Sequence, residues 1–288
     1  SSAASDVYKR QVLSRPYGER TKKENKMHKR NIIAIILTAV IFVAAVVLGV
    51  STVYRVNAVT LDVSLVSEAA KAEADELQKL LLKRYEDESI FSVKENDAEE
   101  DFAQFPYFRM TSFKKAYPNR LVISASEDTE VFAVENDGEY YILGADGTIL
   151  GIRGNASNRS DGADNIIVKG LSASGKRGEI IGGDECIPLL LTVFEAASGI
   201  LGGVRSNVVS VEVMRPTTSA EDTSFCLTMR EGVKAYIRNP GTLTVVKAEK
   251  FAEFYLSLED TERLGGRIEV TDDAVNPGNV RVFYSKND

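Results

Sequence analysis

A chain of 288 residues with one His, two Cys and no Trp lacks the side chains for several large classes of chemistry. Its only imidazole, His28, lies before a long apolar run, so Ser-His-Asp, Cys-His and most catalytic zinc sites are excluded from the main body. Of 35 Lys/Arg and 42 Asp/Glu, nine bases but only three acids fall in the first 30 residues, which leaves an acidic body that suits neither nucleic acid nor an anionic lipid surface.

Residues 1–31 form a basic tail with Lys22, Lys23, Lys26, Lys29 and Arg30. The first eleven residues carry no weight here. A start at Met27 would leave Lys29, Arg30 and the amino terminus to set the orientation. Residues 32–53 contain no charge, and Thr38, Ser51 and Thr52 are their only polar residues. At about 1.5 Å per residue this run reaches the roughly 30 Å of a hydrocarbon core, and it must be helical to satisfy its backbone there. A secretory signal has a shorter apolar core, so an uncleaved anchor is expected. The basic flank places the N-terminus in the cytoplasm and residues 54–288 outside.

Residues 56–63 read as a strand. Ser67 can cap a helix over 69–84, where Ala70, Ala74, Leu77 and Leu81 form one apolar stripe. Asn96 and Glu99 resemble a capping box that opens a short helix over 97–104, with Ala98, Phe102 and Phe105 on one face. Strands follow at 107–115 and 121–126, joined by a turn at Tyr117-Pro118-Asn119-Arg120. The order over 54–127 is β-α-α-β-β.

From residue 128 to 288 short strands dominate, at 131–135, 139–143 and 148–152. Asp137-Gly138 and Asp146-Gly147 are hairpin turns whose positions both call for positive φ. Residues 151–164 are loop-like. A helix over 185–201 tolerates Pro188 in its first turn and ends at Gly202-Gly203. Strands at 207–214, 225–229 and 234–237 precede a second helix marked by Phe251, Phe254, Tyr255 and Leu258. Strands at 267–270 and 280–284 end the chain. The fold class is α+β: one N-terminal transmembrane helix, a small β-α-α-β-β domain, then a mixed antiparallel β domain with two helices.

Gly170 through Arg177 nearly matches a P-loop, but Arg177 stands where the magnesium-binding hydroxyl should be, and Gly178, Gly182 and Gly183 spoil the helix that should follow. Val213-Met214-Arg215-Pro216-Thr217 is similar to the Ser-Met-x-Pro-Thr box of signal peptidases, with Val213 in the nucleophile's place. Acid clusters at 86–88, 97–101 and 272–273 read as solvated faces. Cys186 and Cys226 are either bridged or small buried hydrophobes. No cofactor, metal or small-molecule substrate is indicated. A membrane-anchored extracellular hydrolase using carboxylates or a Ser-Lys pair is the alternative from another class.

The layout resembles the FtsQ/DivIB family of bacterial cell-division proteins, whose first extracytoplasmic module is a POTRA domain. The resemblance rests on Ser89-Ile90-Phe91-Ser92-Val93, on Phe105-Pro106-Tyr107-Phe108, and on the run from Phe113 through Tyr117-Pro118-Asn119-Arg120 to Ile123, followed by Glu127. It also rests on the Tyr141-to-Leu150 hairpin and on Gly170-Leu171. Asp128 and Glu130 depart from the family's Arg and Pro. The resemblance implies a non-enzymatic scaffold of the septum that binds FtsB/DivIC-type and FtsL-type single-pass proteins. A POTRA-like scaffold for secretion or sporulation is a third reading.

The last strand, Val280 to Tyr284, is either the binding element or an ordinary closing strand paired on both sides. A terminal strand often lies at a sheet edge, where its free backbone groups can template another strand. Alternation places Val280, Val282 and Tyr284 against the core and Arg281 and Phe283 outward.

Overall fold

The computed structural model describes residues 17–64, 67–215 and 223–286. The first element is helix α1, Tyr17–Val53. Its segment from His28 to Val53 is long and apolar enough to cross a membrane, and its apolar side chains are exposed throughout. Thr38 and Thr52 return their hydroxyls to the carbonyls of Ala34 and Gly49, both at 2.9 Å, so they too are satisfied within the helix.

The next elements are β1 (Ala58–Val63), α2 (Glu68–Tyr85), α3 (Glu95–Phe102), β2 (Phe108–Ala116) and β3 (Arg120–Glu127). They make a three-stranded sheet in the order β1-β3-β2, with β1 parallel to β3 and β2 antiparallel to it. The Ser67 hydroxyl accepts from the Ala70 N–H at 2.9 Å and caps α2. Ala70, Ala74, Leu77 and Leu81 are all buried, facing Leu121 and Ile123 of the sheet in one cluster. Each large apolar side chain so buried contributes about 1.5–3 kcal/mol.

Helix α3 begins at Glu95, earlier than the Asn96 signal suggests, and its N-cap, Lys94, makes no side-chain capping bond. Asp101 is buried against α2, where it accepts from Arg84 at 2.5 Å and Tyr85 at 3.1 Å. Phe105 falls beyond the helix, half-buried against the same cluster.

The remaining strands are β4 (Phe132–Asn136), β5 (Glu139–Leu143), β6 (Ile149–Arg153), β7 (Ile166–Lys169), β8 (Val208–Met214), β9 (Ser224–Met229), β10 (Lys234–Arg238), β11 (Arg267–Asp272) and β12 (Val280–Ser285). They form one nine-stranded sheet in the order β12-β11-β10-β9-β8-β7-β4-β5-β6. Three of its pairings are parallel: β4 with β7, β7 with β8, and β10 with β11. The expected antiparallel character therefore holds only in part. The missed strand β7 accounts for two of the three, since Ile166-Ile167-Val168 is an apolar run without alternation, as suits a strand set between two parallel neighbours; the third joins two expected strands, β10 and β11.

At the first hairpin both Asp137 and Gly138 have positive φ, as expected. At the second only Gly147 does. That turn is wider, closed by Gly144 N–H to the Thr148 carbonyl at 3.0 Å, with the Asp146 carboxylate accepting from Thr148 N–H. Gly151 belongs to β6 rather than to the loop behind it.

Helices α4 (Cys186–Leu201) and α5 (Thr244–Ser257) pack against each other, and their buried sides join the sheet's inner face in a single cluster. Gly202, left-handed, closes α4. A short third helix, α6 (Asp260–Arg263), adds to the two expected.

Lys247 lies on the buried stripe of α5 with Phe251 and Tyr255 and is fully inaccessible. Its ammonium contacts the carbonyls of Arg238 and Asn239 (2.9 and 2.7 Å), the Thr242 hydroxyl (2.8 Å) and Asp272 (3.0 Å). A charge can be buried here because it satisfies the loop after β10 and is paired. Burial nevertheless holds its pKa below the usual lysine value, against the pull of Asp272.

Candidate partner-binding edge

Val280–Ser285 occupies one end of the nine-stranded sheet and pairs antiparallel with β11, Ile268 opposite Tyr284 and Val270 opposite Val282. Ile268 and Val270 are fully buried, so their β12 partners are drawn to the same face, and Val280, Val282 and Tyr284 pack on the core. Arg281 and Phe283 point away and are exposed, Phe283 at 47%. These are the sides that alternation predicts. Among the described residues no strand pairs with the outer side of β12.

The opposite end of the sheet is treated differently. There the segment around residues 176–180 closes over β6: Ile149 N–H donates to the Glu179 carbonyl and Gly178 N–H to the Ile149 carbonyl, both at 2.8 Å. Arg177 then donates to the Leu150 carbonyl at 3.0 Å and pairs with Glu73 of α2. Leu150 itself packs in the core of the first module. The near-P-loop is thus a cover for one sheet edge, and no helix follows Lys176 until Cys186.

Two contacts hold β12 in register. The Tyr284 hydroxyl reaches the carbonyls of Gly265 and Glu262 at 3.0 and 3.2 Å. Arg281 reaches Asp273 at 3.0 Å, in the turn that leads into the strand. Hydrogen bonds from the Asn276 amide and the Val275 N–H, with Arg281 nearby, hold the Asp273 carboxyl below its ordinary range.

The other sequence signals are absorbed by structure. Val213 is buried in β8, and Arg215 forks onto Asp184 at 2.7 and 2.8 Å while donating to the Gly170 carbonyl. Pro216 and Thr217 lie outside the described residues. Cys186 and Cys226 are both free and buried. Cys186 belongs to the helix-side core, whereas Cys226 alternates with Phe225 and Leu227, which point into that core, so the two thiols lie on opposite faces of the sheet. Among the described residues no group of three or more His, Cys, Asp or Glu is gathered to hold a metal.

Glu130 is fully buried. Arg153 donates to its two oxygens at 3.1 and 2.5 Å, the Tyr107 hydroxyl at 2.6 Å and the Arg159 N–H at 3.1 Å. Burial alone would raise its pKa. The bonds from Arg153, Tyr107 and Arg159, together with the Arg153 charge, outweigh burial and hold the carboxyl below the usual value. Burial and the same carboxylate push the Tyr107 phenol up. Sequence reasoning noted Glu130 only as a mismatch. Arg153, 23 positions away, offered no pattern to join it.

No protein-family model matches the chain, and no curated protein matches it.

Proposed function

We propose that this protein is a non-enzymatic, single-pass scaffold of the bacterial cell-division machinery. Its tail is cytoplasmic, and its two modules lie outside the membrane at the septum. It binds FtsB/DivIC-type and FtsL-type proteins by adding one of their strands to β12. The observation that carries the reading is the contrast between the two sheet ends. β6 is covered at Ile149 and Leu150 by residues 177–179, while among the described residues no strand pairs with the outer side of β12, which exposes Phe283. An uncovered edge that keeps an aromatic residue outward is suited to β-augmentation, in which backbone bonds give affinity and alternate side chains give specificity. The β-α-α-β-β order and mixed three-stranded sheet support a POTRA-like reading of the first module.

Phe283→Ala changes only an outward-facing side chain and tests the reading by capture of the FtsB/DivIC-type partner; Arg281→Glu also breaks the pair with Asp273 and is scored only where β12 stays folded. Phe283→Ala should lower capture at least about five-fold, since a central aromatic anchor is commonly worth more than about 1 kcal/mol, and Arg281→Glu should act in the same direction. Capture at the wild-type level by both folded variants places the binding edge elsewhere.

A further inference from the structure

Three aromatic side chains from distant parts of the chain meet immediately beyond the apolar helix. The rings of Tyr54 and Phe91 are 5.1 Å apart, those of Phe91 and Tyr117 5.8 Å, and those of Tyr54 and Tyr117 6.4 Å. Tyr54 is half-buried, but Phe91 is 60% and Tyr117 59% exposed. Rings this open to solvent are costly unless something apolar covers them.

The patch is fastened to the end of α1. Tyr54 N–H still donates to the Val50 carbonyl at 3.0 Å, so its ring belongs to the last helical turn. The Tyr54 carbonyl accepts from Ile90 N–H at 2.9 Å, and Val56 exchanges backbone bonds with Glu88 and Asp87 at 2.8 and 2.9 Å, which fixes the loop bearing Phe91. Asn57 N–H donates to the Asn119 carbonyl at 2.9 Å, which fixes the turn bearing Tyr117.

We infer that Tyr54, Phe91 and Tyr117 form a docking patch that seats the first module on the headgroup region of the bilayer. The inference rests on the reading that residues 32–53 span a membrane. The occupant follows from continuity: Tyr54 directly succeeds Val53, the last residue of the apolar helix, and the rings of Phe91 and Tyr117 lie 5.1 and 6.4 Å from its ring, so the patch adjoins the end of the span. Aromatic rings favour that depth, where an apolar body and a polar tip are both satisfied. The surrounding charge does not select anionic lipid, because exposed Arg55 and Arg120 are offset by exposed Glu86, Asp87 and Glu88. The rings carry the contact, and it restrains the swivel of the module about the end of α1.

The chain contains no Trp, so a single introduced Trp is an unambiguous reporter. The full chain carrying Phe91→Trp, Tyr117→Trp or Phe42→Trp is reconstituted in two sets of phosphatidylcholine vesicles, with acyl chains brominated near the headgroup or near the methyl end. Phe42→Trp, at the middle of the apolar run, reports the span through the deep bromines. Phe42→Trp should be quenched by the deep bromines, and the two patch reporters by the shallow ones by at least about two-fold relative to unbrominated vesicles, as expected for rings at the interface. Quenching of Phe42→Trp without quenching of Phe91→Trp and Tyr117→Trp overturns the docking patch while the span stands, and assigns the rings to water or a protein partner. Absence of quenching in Phe42→Trp overturns the spanning reading and the patch with it. Patch quenching that appears only after phosphatidylglycerol is added overturns the aromatic mechanism.

Discussion

The Tyr284 hydroxyl stands where a side chain on Gly266 would begin: a Cβ there would lie 2.6 Å from its oxygen and 2.7 Å from the Ser285 carbonyl. Gly266 also has a φ of +86°, which only glycine adopts without strain. The start of β11 and the end of β12 can approach closely only because this position carries no side chain.

Gly266→Ala should therefore loosen β12 and cost about 1–3 kcal/mol, the range for a residue forced into a disfavoured backbone region. Gly265→Ala, which meets nothing within 4 Å, should change stability by less than about 0.5 kcal/mol. Chemical denaturation of the pair of variants checks this, and equal stabilities would refute the packing argument.

Glu130→Gln keeps the size of the side chain but removes the charge that answers Arg153 and turns an amide N–H₂ toward donors. Breaking a buried pair in this way should cost about 3 kcal/mol at neutral pH. Because the folded pKa of Glu130 is lowered, its contribution is fully present above the ordinary carboxylate value and is lost as pH falls through the folded value. The stability gap between wild type and Glu130→Gln should thus narrow on acidification below about pH 4.5. Denaturation curves taken down the pH scale measure it; a constant gap would show that the charge is not what matters.

Burial raises the pKa of both Cys186 and Cys226 and shields their thiols. A thiol-reactive chromogen should label neither thiol in the native protein and both after denaturation without reductant. Labelling of fewer than two thiols in denatured, unreduced protein would indicate a bridge and contradict their placement on opposite faces.

Asn57 is exposed just beyond the apolar helix. With residues 54–288 outside, Asn57→Cys should react with a membrane-impermeant maleimide in intact cells. Reaction only after lysis would reverse the proposed topology.

The sequence by itself determined the elements whose signals are local. The uncharged run at 32–53, the Ser67 cap with its Ala70-to-Leu81 stripe, the Asp137-Gly138 turn and the Gly202 stop each depend on neighbours within a few positions, where the chain's own geometry decides. Alternation likewise fixed which sides of Val280, Arg281, Val282, Phe283 and Tyr284 face the core. Tertiary structure decided what distant residues do to one another. It buried Asp101 of α3 against Arg84 and Tyr85, inserted the unpatterned β7 between parallel neighbours, separated Cys186 from Cys226, and joined Glu130 to Arg153 and Tyr107. It also left one sheet end covered and the other uncovered. No local pattern encodes these outcomes, because each depends on which surfaces the folded chain brings together and on which buried charges then find partners.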